Sequence, residues 1–352
     1  MTLEGKRKLS LVIFVLFLFS LLLFNYNSSD LEIEYNINGP AMGTTYKIVI
    51  KTVNDIDVDT ISHQVNLILD DINSQMSTYH PDSEISSFNL NNIEKKLINF
   101  EISEHFFNVL QKSIYYNSIS DGMFDITVHP LYELWGFQDN LLLNDEPTSM
   151  EIANTLRLVG ANKIQVQNNR LSALQKGVSI DVSAIAKGYT VDVIADYLQN
   201  QGYFDFLVEI GGEIKVGSTS ENSWSIGIQD PDISKIGQVG KVVTLLNNSI
   251  ATSGNYSNFI EYFSSGLKRA HIINPKTGYP IEIKDGIISS ATVVSSSCLE
   301  ADALATTLML LSKKDGLDLI ESIDGAEAYI IYLEDELIQT AQSNGFENYV
   351  FK

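Results

Sequence analysis

The 352-residue chain holds a single cysteine, Cys298. One thiol excludes an intramolecular disulfide, a CxxC redox motif and a cysteine-rich zinc site. An oxidising compartment stays open, since the thiol has nothing within the chain to pair with. Positive charge is also scarce: 23 Lys and Arg stand against 44 Asp and Glu, a net charge of −21 with the five His neutral. Such a field repels phosphate backbones and argues against non-specific nucleic-acid binding. An anionic ligand must then be held by a local device: a metal ion, a helix N-terminus or a few placed cations. Familiar signatures are missing as well. The chain has no GxxxxGK[ST], no GxGxxG after a strand, no HExxH and no GxSxG. Nucleotide-fold, zinc-protease and α/β-hydrolase readings therefore have no footing. What is present is an average globular make-up, 44 % apolar and 19 % charged, unlike disorder or coiled coil.

The N-terminus carries an address. Lys6, Arg7 and Lys8 precede an apolar run from Leu11 to Phe24 broken only by Ser20, the pattern of an export signal. No small-x-small cleavage site follows, and no cysteine is there for lipid attachment. The segment 1–30 reads as an uncleaved anchor and short linker with its basic end in the cytoplasm; a cleaved signal peptide is the alternative. Residues 31–352 are then expected to form one catalytic-size domain on the extracytoplasmic side of the membrane.

Period-two alternation predicts strands over 31–37 and 46–50. Val65, Ile68, Leu69, Ile72 and Met76 fall on one helical face. A second helix is expected from Ser103 as N-cap, with Phe107, Leu110 and Ile114 as its stripe. A third carries Ile152, Leu156 and Val159 and stops at Gly160. Beyond residue 160, strands are expected over 163–166, 178–182, 206–210, 224–228, 242–246 and 329–332, with helices over 184–200 and 299–311. Strand blocks interrupted by occasional helices predict an α+β fold.

Four small-residue segments could carry chemistry. In the first, Ser179 to Tyr189, a strand runs into a helix whose start carries Lys187. It is an anion cradle or plain packing with Asp181 or Ser183 as cap. In the second, Gly211 and Gly212 sit between two strands, either as an ordinary hairpin turn or as backbone that a ligand can approach closely. The third joins Ala251-Thr252-Ser253-Gly254 to His271-Ile272-Ile273-Asn274-Pro275-Lys276-Thr277-Gly278. That is turn chemistry, with His271 at a strand end as a possible general base. In the fourth, Asp302 and Thr306 lie four apart on one helical face among alanines. The pair would suit Mg²⁺, which takes oxygen ligands and keeps waters for a phosphate. Equally, Asp302 could answer the helix dipole and Thr306 could bond back to a carbonyl.

Taken in order, these segments resemble the ApbE family of FAD:protein FMN transferases. The likeness begins at Pro40-Ala41-Met42-Gly43-Thr44-Thr45-Tyr46 and passes through Met76-Ser77-Thr78-Tyr79 and Ser83 to Asn89. It continues with Phe124-Asp125-Ile126-Thr127-Val128, Leu134-Trp135-Gly136-Phe137, then IAKGY, the paired glycines, ATSG, HIINPKTG and ADALAT. It spans about residues 38–335. Ser183-Ala184 stands where the family often has glycines, and Asn274 where it usually has Asp. The resemblance implies a T-fold-like arrangement of mainly antiparallel sheets with packed helices. It implies Mg²⁺ held by Asp302, Thr306 and the Ala184 carbonyl. FAD, as substrate, would be walled by Met42, Tyr79, Thr252, Ser253 and Gly254, with Asp181, Lys187, Glu209, Gly211 and Gly212 as further contacts. His271 resembles the residue that activates the acceptor hydroxyl. The implied activity is protein flavinylation: FMN passes to a Thr or Ser hydroxyl of a flavoprotein subunit, as a phosphodiester, and AMP is released. Acceptors implied are subunits of the Na⁺-translocating NADH:quinone reductase or Rnf-type complexes. A Mg²⁺-dependent FAD pyrophosphatase and a non-catalytic flavin carrier are the alternatives.

Overall fold

A computed structural model of the chain describes residues 32–137, 145–219, 223–230, 238–255, 259–262, 268–282, 286–335 and 337–351. The expected anchor, with its apolar run from Leu11 to Phe24, lies outside them. Among the described residues no helix is long and apolar enough to cross a membrane.

In chain order the first elements are β1 (Ile33–Ala41), β2 (Thr44–Thr52), α1 (Val58–Met76), α2 (Glu84–Glu94), β3 (Phe100–Glu101), α3 (Glu104–Ile119) and α4 (His129–Leu134). Next come α5 (Ser149–Leu156), β4 (Ile164–Gln167), β5 (Arg170–Ala173), α6 (Ser183–Asn200), β6 (Phe206–Ile210), β7 (Glu213–Gly217), β8 (Trp224–Gln229) and β9 (Val239–Leu245). The rest are β10 (Ser249–Gly254), β11 (Phe259–Glu261), β12 (Lys268–Ile273), β13 (Pro280–Glu282), β14 (Ile288–Ser295), α7 (Cys298–Met309), α8 (Lys313–Glu321), β15 (Glu327–Glu334) and β16 (Leu337–Gln342).

Eight strands form the main sheet, in the order β1-β2-β6-β7-β10-β14-β15-β16. All its neighbouring pairs are antiparallel. At its β10–β14–β15 strands both faces are covered, and the alternation of side chains shows how. On β10, β14 and β15 the residues Ala251, Val293 and Ile330 join the core beneath the helices. Their neighbours Ile250, Val294 and Ile331 join a second core roofed by the β8–β9 ribbon. Helix α7 packs on β10 and β14, and α6 packs on β6, β7 and α7. The α+β expectation with mainly antiparallel sheets is met. Three smaller sheets, β3-β5-β4, β11-β12-β13 and β8-β9, complete it.

Two sequence expectations fail for physical reasons. Residues 178–182 are largely buried but form no strand. Their backbone groups are taken by side chains of α2 and by a loop carbonyl instead of a neighbouring strand. Asn92 Nδ2 donates to Val178 O at 2.7 Å, and Asn89 both donates to Ile180 O and accepts from Ile180 N at 2.8 Å. The Asp181 N–H goes to Ile126 O at 2.7 Å. In α3 the buried face is Phe106, Val109, Leu110, Ser113 and Tyr116, leaving Phe107 only partly covered. Ser103 is its N-cap by position but makes no capping bond, because its hydroxyl is spent on Glu84 of α2.

Candidate active site

The site grows from the crossing of α6 and α7. Helix α7 is capped by Ser297, whose hydroxyl accepts from Glu300 N. Asp192 of α6 reaches across and accepts from Cys298 N at 3.0 Å, Leu299 N at 2.9 Å and Ser297 Oγ at 2.8 Å. Lys215 of β7 pairs with the same carboxylate at 2.7 Å. A carboxylate against free N–H groups at a helix start is electrostatically favoured, so α7 is pinned to α6 in register.

Gly188 makes the crossing close. A Cβ there would lie 2.3 Å from the Cys298 carbonyl oxygen and 2.8 Å from Asp302 Cβ. Helix propensity alone favours Ala over Gly by about 1 kcal/mol, but here neighbouring backbone fills the space. Gly188→Ala is expected to destabilise the fold by about 3 kcal/mol, read as a lowered urea midpoint. An unchanged midpoint would remove this reason for the glycine.

The glycine amide also acts chemically. Gly188 N–H, which a regular helix gives to the carbonyl four residues back, donates to Asp302 Oδ2 at 2.9 Å. The carbonyl four back is that of Ala184, which must therefore share or yield its helical partner. One turn along α7 from Asp302, Thr306 Oγ1 meets Ser253 Oγ of β10 at 3.1 Å. Back-bonding to the helix falls to its neighbour: Thr307 Oγ1 donates to Ala303 O at 2.7 Å. The structure thus gathers Asp302, Thr306 and Ser253 around one crossing, with Ala184 one helical turn before Gly188 on α6.

This donor set is all oxygen: one carboxylate, hydroxyls and a carbonyl. It suits a hard cation that keeps several waters and shares a phosphate. No group of three or more His, Cys, Asp or Glu able to hold a metal occurs among the described residues, so a transition-metal cage has no support. The electrostatics agree. Asp302 is 3 % exposed, and burial pushes its carboxyl up despite the nearby Lys187. Burial and the Asp302 charge push the Glu213 carboxyl, of β7, up, with Lys187 pulling the other way. Two buried carboxylates share one ammonium, an imbalance that an added divalent cation would relieve.

Two turns border this cluster. Met42 and Gly43 join β1 to β2, with φ of +48° and +79°. A methionine in the left-handed region is strained, a mark of functional sites. Gly211 and Gly212 join β6 to β7 with φ of +61° and +104°, confirming the hairpin. Glu209 Oε1 closes that turn by accepting from Gly212 N at 2.8 Å. Asp181 precedes α6 and accepts from Ser183 N at 2.6 Å, but the N-cap position is Val182, which has no capping side chain, so neither Asp181 nor Ser183 is the expected cap. The other Asp181 oxygen lies 3.7 Å from Nδ1 of the buried His129. Burial raises the Asp181 carboxyl, but the His129 ring and the Ser183 groups hold it below the ordinary carboxylate range. Tyr79 is 72 % exposed. Burial, Tyr79 and Asp181 push the Tyr132 phenol up.

Other expected residues lie elsewhere. Ser253 faces α7, so by alternation Thr252 faces the opposite side of the sheet, where its hydroxyl meets Thr292 Oγ1 at 2.8 Å. Gly254 ends β10 opposite Ser290. His271 sits half-buried on β12 between the buried Ala270 and Ile272, in the separate β11-β12-β13 sheet. The turn after it is held by Asn274, whose Oδ1 accepts from Lys276 N at 2.9 Å and Thr277 N at 3.2 Å. An amide oxygen does there what an aspartate oxygen would. Sequence reasoning missed Glu213, His129 and Asp192. Only Glu213, flanking the paired glycines, carried a local signal.

With this geometry in view, the model of the ApbE family matches residues 42–330. A FAD:protein FMN transferase of Vibrio cholerae is 35 % identical over 314 residues, covering 88 % of this chain and 91 % of that protein. One from Haemophilus influenzae is 35 % identical over 322 residues, covering 89 % and 90 %. Among solved structures, flavin transferase ApbE from Vibrio cholerae superposes with a TM-score of 0.80 at 33 % identity, covering 91 % of this chain and all of that one. The ApbE protein of Thermotoga maritima superposes with a TM-score of 0.78 at 26 % identity, covering 91 % and 100 %.

Proposed function

The chain belongs to the ApbE family, and on that premise we propose that it is a flavin transferase moving FMN from FAD to a Thr or Ser hydroxyl of an acceptor flavoprotein. The observation that carries the reading is the oxygen-lined crossing of Asp302, Thr306 and Ser253, where the Gly188 amide four residues after Ala184 turns to the Asp302 carboxylate. A protein of net charge −21 needs such a device to hold a pyrophosphate. A Mg²⁺ bound there would offset phosphate charge and polarise the phosphorus.

The acceptor hydroxyl oxygen forms a bond to the phosphorus on the FMN side of FAD. The bond from that phosphorus to the bridging oxygen breaks, and AMP leaves with the bridging oxygen. His271 takes the hydroxyl proton; imidazole is the side chain suited to accept it near neutral pH. Asp302, Thr306 and Ala184 would hold the cation, while Ser253, Met42, Tyr79 and the Gly211-Gly212 turn would border the flavin nucleotide. Acceptors of this chemistry are flavoprotein subunits such as those of Na⁺-translocating NADH:quinone reductase or Rnf-type complexes. The basic Lys6 to Lys8 stretch before the apolar run supports an anchored enzyme facing the periplasm.

The test mixes the full-length chain with FAD, Mg²⁺ and a Ser/Thr-bearing flavoprotein subunit and weighs the subunit intact, with and without EDTA. A gain of one FMN that EDTA abolishes is the expected result. Free FMN and AMP with no mass gain would make the enzyme a pyrophosphatase. FAD retained unchanged would make it a carrier.

A further inference from the structure

We propose that Glu213 is a positioning residue that holds the Lys187 ammonium away from Asp302, keeping that carboxylate open to a cation. The inference rests on the proposed role of Asp302 as a metal ligand. Lys187 lies three residues after Ala184 on α6 and next to Gly188, whose amide holds Asp302. Its ammonium is therefore carried into the crossing by the same turn of helix that presents the candidate ligands. Two buried carboxylates act on it, Asp302 and Glu213, and the buried Cys298 thiol stands beside them. The contact is made with Glu213: Lys187 Nζ sits 2.5 Å from Glu213 Oε1. Asp302 Oδ2 takes its bond from the Gly188 amide.

The hairpin is shaped for this pairing. A Cβ on Gly211 would come 2.8 Å from Thr44 Cγ2, 3.5 Å from Glu213 Oε2 and 3.6 Å from Lys187 Cδ. Bare backbone there lets the ion pair lie directly beneath the turn. Glu213 is 3 % exposed, and its Oε2 is buried without a hydrogen-bond partner. A buried carboxylate half-satisfied in this way is costly unless it does something. Without its charge, the Lys187 ammonium has Asp302 as its remaining buried counter-ion. An ammonium settled there would both occupy the oxygen and repel an incoming cation.

The test is Mn²⁺ binding to the metal-stripped full-length chain, followed by loss of the free-ion EPR signal, a readout independent of turnover. For Glu213→Gln the dissociation constant is expected to rise about 10- to 100-fold, as when the orienting partner of a ligand is lost. Removing the competing ammonium as well, in Lys187→Met/Glu213→Gln, is expected to bring binding back within about threefold of wild type, since a buried pair replaced together is tolerated. Wild-type affinity in Glu213→Gln would overturn the proposal. So would a double variant as weak as the single one, because Glu213 would then act directly on the cation or through folding. If Glu213→Gln yields no folded protein, the double variant decides alone, near-wild-type binding supporting the proposal and a tenfold loss overturning it. No Mn²⁺ binding in wild type would instead defeat the reading of Asp302 as a ligand.

Discussion

Asp302→Ala is expected to remove metal-dependent transfer, lowering turnover by about 10²–10³-fold or more, the range for losing one preorganised electrostatic group. The effect should be larger than one lost ligand suggests. The Asp302 carboxylate draws the Gly188 amide to itself at 2.9 Å; without it that amide has the Ala184 carbonyl four residues back as its whole partner. One substitution thus removes a carboxylate and ties up a second candidate ligand more fully. Folding should not suffer in parallel, since the buried Lys187 keeps Glu213 as its partner and one costly desolvated charge is gone. Asp302→Asn separates the two effects. Its side-chain oxygen can still accept from Gly188, so the Ala184 carbonyl stays available while the charge is lost. Turnover followed against Mg²⁺ concentration checks both variants. An Asp302→Ala protein with the wild-type Mg²⁺ dependence would sink the assignment.

His271→Ala should behave differently. Removing a general base costs about 10²–10⁴-fold in the chemical step but leaves ligand contacts made elsewhere intact. His271 stands on β12 of the separate three-stranded sheet, whereas Asp302, Thr306 and Ser253 belong to the α6–α7–β10 layer. FAD affinity, measured by flavin fluorescence, is therefore expected to stay within about twofold of wild type while transfer slows. Equal losses in binding and transfer would make His271 a wall residue of the flavin site instead of the proton acceptor.

Much of the frame is legible in the amino-acid sequence. Where a segment buries one face, its period reports the element directly. Hence β2, α1, α6 and α7 stand within a few residues of their expected places. The Gly211-Gly212 hairpin is legible because positive φ at two successive positions calls for glycine. Failures come where the partner is a side chain distant in sequence. Residues 178–182 have the composition of a strand, yet Asn89 and Asn92 satisfy their backbone from about ninety residues upstream. No local pattern announces that substitution of side chain for strand.

For the site itself, the sequence determined which residue types arrive and in what order: the glycine of IAKGY, the paired glycines, ATSG, the histidine before the Asn-Pro turn, and Asp302 one helical turn before Thr306. It also determined that a chain of −21 must meet an anion through a local device. Tertiary structure alone decided which of these residues cooperate. It set the Gly188 amide on a carboxylate 114 positions away. It turned Ser253 toward Thr306 and Thr252 toward Thr292, and it paired Lys187 with Glu213. The reason is physical. Periodicity and turn chemistry act over a few residues, whereas burial and charge balance arise only when distant elements cross and water is excluded between them.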